Sequence, residues 1–283
     1  MKDSETYARK IKKLLGAAPP ADAAAPSVDL IERMVHAVFE ENATAKLADK
    51  AVADMATEFV DLNELRVSPI KDICECVGRK YPGVREKALA VTRALKRVFD
   101  NVNVLSLEYL VKKPKREVRR RLREDLGLSP YAEAVMTLTG FQGHAIPVDE
   151  LLLDALKLEE LIYPDSDVPD LQGFLERIIS SKTALAAHAA LRAYAAKAMP
   201  VVQREWARRQ RLREEAEAKA RAEAEAKARA EAEAKARAEA EVQAGKDAAA
   251  RKKAEAAQRK KAKASAKKTA AKKAARKSAR KRK

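Results

Sequence analysis

An eight-residue repeat, Glu-Ala-Glu-Ala-Lys-Ala-Arg-Ala, occurs three times in succession over residues 215–238 and restricts what this part of the chain can form. Alanine, glutamate, lysine and arginine favour helices and disfavour strands. Each acidic residue stands four positions before a basic one, as Glu217 does before Arg221, and this order stabilises a helix. The charges surround the whole helix, so no apolar stripe remains for a coiled coil.

Residues 200–245 are therefore predicted to form one solvated helix that serves as a semi-rigid spacer. Some 40 helical residues would extend for roughly 60 Å. Gly245 is expected to end this helix, because glycine is common just beyond a helix C-terminus. The alternative is a low-complexity linker with partial helicity. Trp206, near the start of the segment, is expected to pack on the last helix of the preceding region.

The net charge of the chain is concentrated at its end. Residues 246–283 contain 18 Lys+Arg and two acidic residues, against 59 and 42 in the whole chain, so this tail holds +16 of the formal +17. The tail has no aromatic or large aliphatic residue, and it resembles the Lys/Ala-rich tails of linker-histone-type proteins. Such a segment cannot bury enough apolar surface to fold alone, and we expect it to be disordered when free.

A tail of this composition predicts a polyanionic partner, most simply the phosphates of double-stranded DNA, bound without sequence preference and with a steep dependence on salt. The alternative is a tail that serves only solubility or localisation. In a eukaryote, residues 281–283 would suit a nuclear import signal and a nuclear location; in a bacterium, we expect the cytoplasm and nucleoid. The candidate DNA-binding residues of the tail are Lys267, Lys268, Lys272, Lys273, Arg276, Lys277 and Arg280.

Several classes of protein are excluded by simple features. The only cysteines, Cys74 and Cys76, stand too close together for an ordinary disulfide. No apolar run approaches the roughly 18 residues of a membrane span, and residues 1–5 do not begin a signal peptide. No glycine-rich nucleotide loop, nucleophile elbow or zinc motif is present. We therefore expect no membrane association, metal or cofactor; a monomer is a separate expectation.

Residues 1–199 have the pattern of an all-α region. Apolar residues recur at spacings of three and four, and no stretch shows sustained β-branched alternation. The pairs Ser68-Pro69 and Ser129-Pro130 each offer an N-cap serine before a proline in the first helical position. The predicted helices cover residues 28–39, 46–59, 69–77, 84–99, 115–125, 130–139, 150–162, 171–179 and 183–198.

One pair of these helices is joined by a tight turn. Residues 116–138 read as helix, hairpin and helix, with Leu-Gly-Leu-Ser-Pro at 126–130. Gly127 permits a close backbone approach that a side chain would block. The second helix begins directly after the turn, so its positive end would face a bound phosphate. A short segment at 143–149 then places Pro147 and Asp149 before the next helix.

Together these segments resemble the helix-hairpin-helix-Gly/Pro-Asp DNA glycosylases, and among them the endonuclease III-like branch. The resemblance covers roughly residues 4–198 and implies two helical lobes, one from the middle of the chain and one from its two ends, with DNA in the cleft. It implies base excision, with a damaged base flipped into a pocket. It assigns the phosphate contact to Gly127, Leu128 and Ser129, and the filling of the vacated base-pair space to Asn42.

The essential aspartate of this family corresponds to Asp149, which would stabilise an oxocarbenium-like sugar or activate its attacking nucleophile. The other interpretation is that Asp149 merely caps the helix that begins at Glu150, and both roles can coexist. The lysine that gives some members lyase activity is replaced by Tyr131, and a phenol cannot form a Schiff base. Lyase activity is therefore not expected.

Other departures bear on the activity. Asn42 stands where the family has glutamine, Ser129 where the hairpin has glycine, and the four-cysteine iron–sulfur motif is missing. The sequence thus predicts an all-α, two-lobed glycosylase-like domain (1–199), a long single helix (200–245) and a disordered basic tail (246–283). The expected function is at most that of a monofunctional DNA glycosylase. The alternatives are a catalytically inactive DNA-binding or chromatin-associated protein that keeps the fold, and a protein-interaction scaffold.

The roles of two further sets of residues are not decided by the sequence pattern. Five arginines on the helix before the hairpin could contact phosphates or form a solvated helical face. The three histidines show no metal-like spacing and are expected at the surface or in packing, and Cys74 and Cys76 are expected to be ordinary helix residues. The arginines are Arg116, Arg119, Arg120, Arg121 and Arg123, and the histidines are His36, His144 and His188.

Overall fold

A computed structural model describes the backbone of residues 2–16 and 29–280, and the side chains of residues 4–16, 29–253 and 255. The chain divides into two compact units, Met1–Ala207 and Arg208–Lys283. All regular structure in the described residues is helical. The helices are α1 (Lys2–Gly16), α2 (Leu30–Glu40), α3 (Ala45–Glu58), α4 (Leu62–Val67), α5 (Ile70–Val77), α6 (Val84–Val102), α7 (Glu108–Val111), α8 (Lys115–Arg120), α9 (Pro130–Val135), α10 (Glu150–Leu158), α11 (Val168–Ile178) and α12 (Ala184–Arg280).

The first unit contains two hydrophobic cores, which confirms the predicted two-lobed, all-α fold. The buried residues of the first core lie between 31 and 141, on the helices from α2 through α9. The second core combines Ile11 of α1 with buried residues between 134 and 202, from the end of α9 through α10 and α11 to the start of α12. One lobe thus comes from the middle of the chain and the other from both of its ends. The backbone between α9 and α10 connects the two lobes.

Each of the nine predicted helices is present, with shifted bounds, although residue 28 lies outside the described residues. The short helices α4 and α7 and the terminal α1 were not predicted. Ser129 caps α9 as expected, accepting a hydrogen bond from the amide of Ala132 at 3.1 Å. The corresponding prediction for Ser68 is wrong. Its hydroxyl donates back to the Glu64 carbonyl, and α5 begins without a side-chain cap.

The predicted end of the spacer helix at Gly245 is also wrong, because α12 continues through Gly245 to Arg280. The tail was predicted to be disordered when free, whereas the structure shows residues 246–280 as part of the α12 helix. The reason is local. Alanine, lysine and arginine are strong helix formers, and one interior glycine costs only about 1 kcal/mol. The import signal assigned to residues 281–283 lies outside the described residues.

Candidate functional site

Asp149 is the N-cap of α10, and its carboxylate is fully engaged within the protein. Oδ1 accepts a hydrogen bond from the amide of Leu152 at 2.9 Å. Oδ2 accepts one from the amide of Asn42 at 2.8 Å and another from Nη1 of Arg192 at 2.7 Å. The side chain of Asp149 is 0% exposed and that of Arg192 is 8% exposed. The cap interpretation is therefore confirmed, and the carboxylate is sealed from solvent.

Arg192 connects the two lobes through one buried guanidinium. Besides Asp149, it contacts the Glu40 carboxylate at 3.3 Å and the carbonyl oxygens of Glu40 and Ala43, at the end of α2. The guanidinium carbon lies 5.3 Å from the centre of the Tyr131 ring. Both carboxylates therefore interact with the same buried cation, which offsets part of the cost of burying their charge.

Tyr131, at the position where the resemblance implies a replaced lyase lysine, is buried. Burial, with the nearby Glu40 carboxylate as the next cause, raises the pKa of its phenol well above the ordinary value. Among the described residues its hydroxyl forms no hydrogen bond. One turn before Arg192, burial lowers the pKa of His188 to about 4, so this histidine is neutral at physiological pH. The predicted packing role of His188 fits this location.

The turn at residues 126–129, called the hairpin below, joins the π-helical extension of α8 (Arg121–Asp125) to α9. Gly127 adopts φ of +72°, a left-handed conformation that favours glycine. The amide of Leu128 donates to the Leu122 carbonyl at 3.1 Å, and the Leu128 side chain is buried. A side chain at Gly127 would collide with the guanidinium of Arg97 on α6. The hairpin is thus closed by internal contacts and accompanied by an exposed cation.

A cavity of about 270 Å³ lies between α6, the end of α2 and the hairpin. Glu41 lines it and accepts a hydrogen bond from the Ser129 hydroxyl at 2.7 Å. Burial raises the pKa of the Glu41 carboxyl, although the Ser129 bond opposes this effect. Lys87 also lines the cavity, donating to the carbonyls of Phe39, at 2.8 Å, and of Glu41. Burial lowers the pKa of the Lys87 amine to about 8.

Asn42 lies beside this cavity but directs its amide oxygen inward. It occupies the left-handed region with φ of +54°. Its Oδ1 accepts a hydrogen bond from the amide of Leu151 at 3.1 Å, while its own amide donates to Asp149. Asn42 and Asp149 therefore cap the first turn of α10 together. The role of Asn42 at a vacated base pair stays a prediction.

The arginines before the hairpin are largely committed to ion pairs. Arg119 and Arg123 both bind the buried Glu133 of α9, at 2.8 and 2.9 Å. Arg120 pairs with Glu124 at 3.0 Å, and Arg121 pairs with Glu117 at 3.0 Å. Arg116 is exposed. Four of the five arginines thus form ion pairs within the protein, and a phosphate contact stays a prediction.

The remaining histidines and cysteines form no metal centre. His36 contacts Asp49 at 2.8 Å, and His144 contacts the Glu176 carbonyl at 3.0 Å. Within the described residues, no three His, Cys, Asp or Glu side chains converge as metal ligands. A four-cysteine iron–sulfur cluster does not fit, because the chain has two cysteines, both free on α5. None of the described helices is long and apolar enough for a membrane span.

Trp206 packs on the second core, and its indole N–H donates to the Asp154 carboxylate at 2.6 Å. We expected Trp206 to pack on the last helix of the preceding region. That helix is the start of α12, which also contains Trp206, and the indole contacts α10 instead. In the second unit, the predicted repeat pair Glu217–Arg221 lies at 4.0 Å. The side chains of the seven tail candidates lie outside the described residues, and their DNA contacts stay predictions.

Sequence reasoning missed Arg192, Glu40, Lys87 and Arg97. A weak signal exists for Arg192. It stands four residues after His188 on the apolar face of an alanine-rich helix, where a charged side chain needs a buried partner. Its partner Asp149 is 43 residues away in the sequence, so no local pattern could identify the pair.

Comparison with known proteins rests on the fold. No protein-family profile matches the chain, and no curated protein matches its sequence. A solved structure of endonuclease III trapped covalently on DNA matches with a TM-score of 0.51 and 17% identity, over 66% of this chain and 84% of that one. The H. pylori 3-methyladenine DNA glycosylase bound to 1,N6-ethenoadenine matches with a TM-score of 0.50 and 18% identity, over 69% and 97%.

The Clostridium acetobutylicum 8-oxoguanine glycosylase/lyase, in complex with double-stranded DNA, matches with a TM-score of 0.50 and 17% identity, over 69% of this chain and 68% of that one. The fold therefore defines the class: an all-α, two-lobed protein built like the DNA glycosylases of base excision repair. The fold of this chain is thus similar to that of endonuclease III and of two other DNA glycosylases, at 17–18% identity.

Proposed function

We propose that this protein binds double-stranded DNA through a glycosylase fold that no longer excises bases with Asp149. The observation that carries the proposal is the buried Arg192–Asp149 ion pair, with Nη1 and Oδ2 at 2.7 Å. The basic tail and the domain both contribute DNA contacts. The protein is a DNA-binding protein of the repair or nucleoid-associated kind.

The state of Asp149 argues against a catalytic role for this carboxylate. A catalytic carboxylate has to reach the sugar or its attacking water, in a position where its charge is available to the transition state. Both Asp149 oxygens already accept hydrogen bonds, and the Arg192 guanidinium already balances the charge. If Asp149 turned towards a substrate, the buried Arg192 guanidinium would lose one of its two carboxylate partners. Breaking a buried ion pair costs free energy of folding.

The hairpin and the tail support DNA as the partner. Gly127 keeps the close backbone approach that a phosphate contact needs, and the first turn of α9 follows it. Two of the structures with the same fold are described as DNA complexes, one with a covalent intermediate and one with double-stranded DNA. The tail supplies a charge of +16 from residues 246–283, with 18 basic and two acidic residues. Such a tail binds phosphates by releasing counterions.

The test uses the full chain and its Asp149→Asn variant. Binding to a short undamaged duplex is measured first, across a range of salt concentrations. Both proteins are then incubated with duplexes that carry abasic, oxidised, mismatched or alkylated positions, and strand breaks are scored with and without heat–alkali treatment. We expect salt-dependent binding and no break above background. Base release by the wild type that disappears in Asp149→Asn would overturn the proposal.

A monofunctional DNA N-glycosylase is the second candidate. It is favoured by a specific observation, since the cavity beside the hairpin holds a carboxyl, Glu41, whose pKa is raised by burial. A carboxyl of this kind can act as a general acid. In this alternative, heat–alkali-dependent breaks would appear with the wild type, survive in Asp149→Asn and disappear in Glu41→Gln.

A further inference from the structure

The outer side of α6 carries four exposed basic residues, Arg85, Arg93, Lys96 and Arg97. Arg93 and Arg97 stand one helical turn apart, and Lys96 lies three residues after Arg93, so these three share one face. Within residues 29–253, none of the four forms an ion pair. We call Arg93, Lys96 and Arg97 the α6 cationic face.

This face runs along the hairpin. Glu86 and Ala90 line the cavity on the α6 side, opposite Leu128 and Ser129. Arg97, two turns beyond Ala90 on the same side of the helix, lies against Gly127. Arg93 falls between Ala90 and Arg97 on that side, one turn before Arg97. The hairpin backbone and two arginines are therefore adjacent at the surface.

Four of the five arginines on the other side of the hairpin already form ion pairs, whereas Arg116 is exposed. Arg119 and Arg123 hold the buried Glu133, and Arg120 and Arg121 pair along their own helix. A phosphate at the hairpin would have to break these pairs to use them. The α6 cationic face requires no such exchange, so its charge is available to an incoming polyanion.

The acidic residues near the cavity further define the site. Glu86 and Glu41, which is hydrogen-bonded to Ser129, both line the cavity, whereas Arg97 lies against Gly127. Like charges repel, so a phosphate is favoured at the Gly127 end and disfavoured inside the cavity. The preferred position lies over the hairpin and α6.

We infer that the α6 cationic face, which lies beside Gly127, is a further surface by which the folded domain contacts the phosphate backbone of double-stranded DNA. The inference deepens the proposed function and rests on it. Arginine suits this role because its guanidinium donates several hydrogen bonds to phosphate oxygens in a fixed geometry. The contact is independent of base sequence and adds to that of the tail.

Residue-level protection tests the surface directly in the full chain. The protein is modified with phenylglyoxal, which reacts with arginine, in the presence and absence of duplex DNA, and the modified positions are read by mass spectrometry. We expect DNA to protect Arg93 and Arg97. Arg79 and Arg120, which are exposed and paired with Glu75 and Glu124, should react equally in both conditions. Equal reactivity of Arg93 and Arg97 with and without DNA would overturn the inference.

Paired variants provide a second readout. Arg93→Gln/Arg97→Gln removes two phosphate contacts and should lower the slope of log affinity against log salt by about 1.8. Arg79→Gln/Arg120→Gln removes the same charge elsewhere and should change the slope far less. Arg93→Lys/Arg97→Lys keeps the charge and should keep the slope. Circular dichroism confirms that each variant is folded.

The outcomes separate the two proposals. If the wild type fails to bind duplex DNA at all, the proposed function fails. If the wild type binds but the two glutamine pairs lower the slope equally, only the α6 surface is wrong, and the contact belongs to the tail.

Discussion

The guanidinium of Arg192 lies 2.7 Å from the Asp149 carboxylate, and this ion pair joins the start of α12 to the first turn of α10 inside the protein. The Asp149 carboxylate is therefore part of the internal structure, with hydrogen bonds to both of its oxygens. The ion pair also reaches Glu40 at the end of α2, so one side chain connects both lobes.

Arg192→Met should destabilise the domain strongly. Methionine leaves Asp149 and Glu40 buried without their cation, and removing one partner of a buried pair costs about 3–5 kcal/mol. The measurement is urea unfolding followed by circular dichroism. Arg120→Met, at an exposed pair with Glu124, is the control and should cost about 1 kcal/mol or less. Similar losses for both variants would show that the Arg192 pair is not structural.

His188 should make stability depend on pH between about 4 and 6.5. Burial lowers its pKa to about 4, against 6.5 in the unfolded chain; the Arg192 cation adds to this effect, and the Glu40 and Asp149 carboxylates oppose it. The unfolded state therefore binds more protons in this range, and stability is present above pH 6.5 and lost as the pH falls to 4. The loss is on the order of 3 kcal/mol. His188→Leu should flatten this part of the curve in urea unfolding. A curve as steep as that of the wild type would show that His188 does not cause the pH dependence.

Gly127→Ala should weaken both the fold and DNA binding. The left-handed φ of +72° disfavours any side chain, and a methyl group would displace the Arg97 guanidinium. The conformational term alone is about 1–2 kcal/mol. Thermal unfolding and duplex binding are the measurements. Unchanged affinity in a folded Gly127→Ala protein would contradict a role for the hairpin in DNA contact.

Gly245→Ala should stabilise the α12 helix, whereas Gly127→Ala should destabilise the hairpin. Gly245 lies within α12, and an added methyl group meets no atom within 4 Å. Alanine stabilises a helix interior by about 1 kcal/mol relative to glycine. We expect a small increase in helical circular dichroism and unchanged DNA affinity. A decrease in helicity would indicate that the helix ends at Gly245, as the sequence predicted.

Neutralising the tail should have the largest effect on DNA binding. Glutamine at the seven tail candidates, from Lys267 to Arg280, removes seven positive charges and should lower the salt slope by about 6 if each contacts a phosphate. Anisotropy of a labelled duplex across salt concentrations is the measurement. A slope equal to that of the wild type would assign the tail to solubility or localisation instead.

The parts of the structure that sequence could predict are those set by nearby residues. The Ser129 cap and the helices on both sides of the hairpin depend on residues within a few positions, and they were predicted correctly. Asp149 was recognised as both a cap and a catalytic candidate, but the cation that decides between these roles lies on another helix. Gly245 was predicted to end its helix, but the strong helix propensity of the surrounding residues continues α12 through it. Ser68 was predicted to cap α5, but its hydroxyl donates to the Glu64 carbonyl instead.

The availability of the basic residues near α6 also depends on contacts between residues that are distant in the sequence. The charges of Arg119 and Arg123 look available in the sequence, yet both bind Glu133, ten or more residues further along. Arg97 gives no sequence signal at all, because its importance comes from its position against Gly127. Which basic residues are free is a property of three-dimensional pairing, and net charge alone does not reveal it.

The chain has a single tryptophan, and its indole is held by Asp154 against the second hydrophobic core. Its emission is therefore an intrinsic optical reporter of that lobe alone. Circular dichroism, by contrast, sums over every helix, including those of the long repeat. Comparing the two signals during unfolding would show whether the lobes separate or melt together once Arg192 no longer joins them.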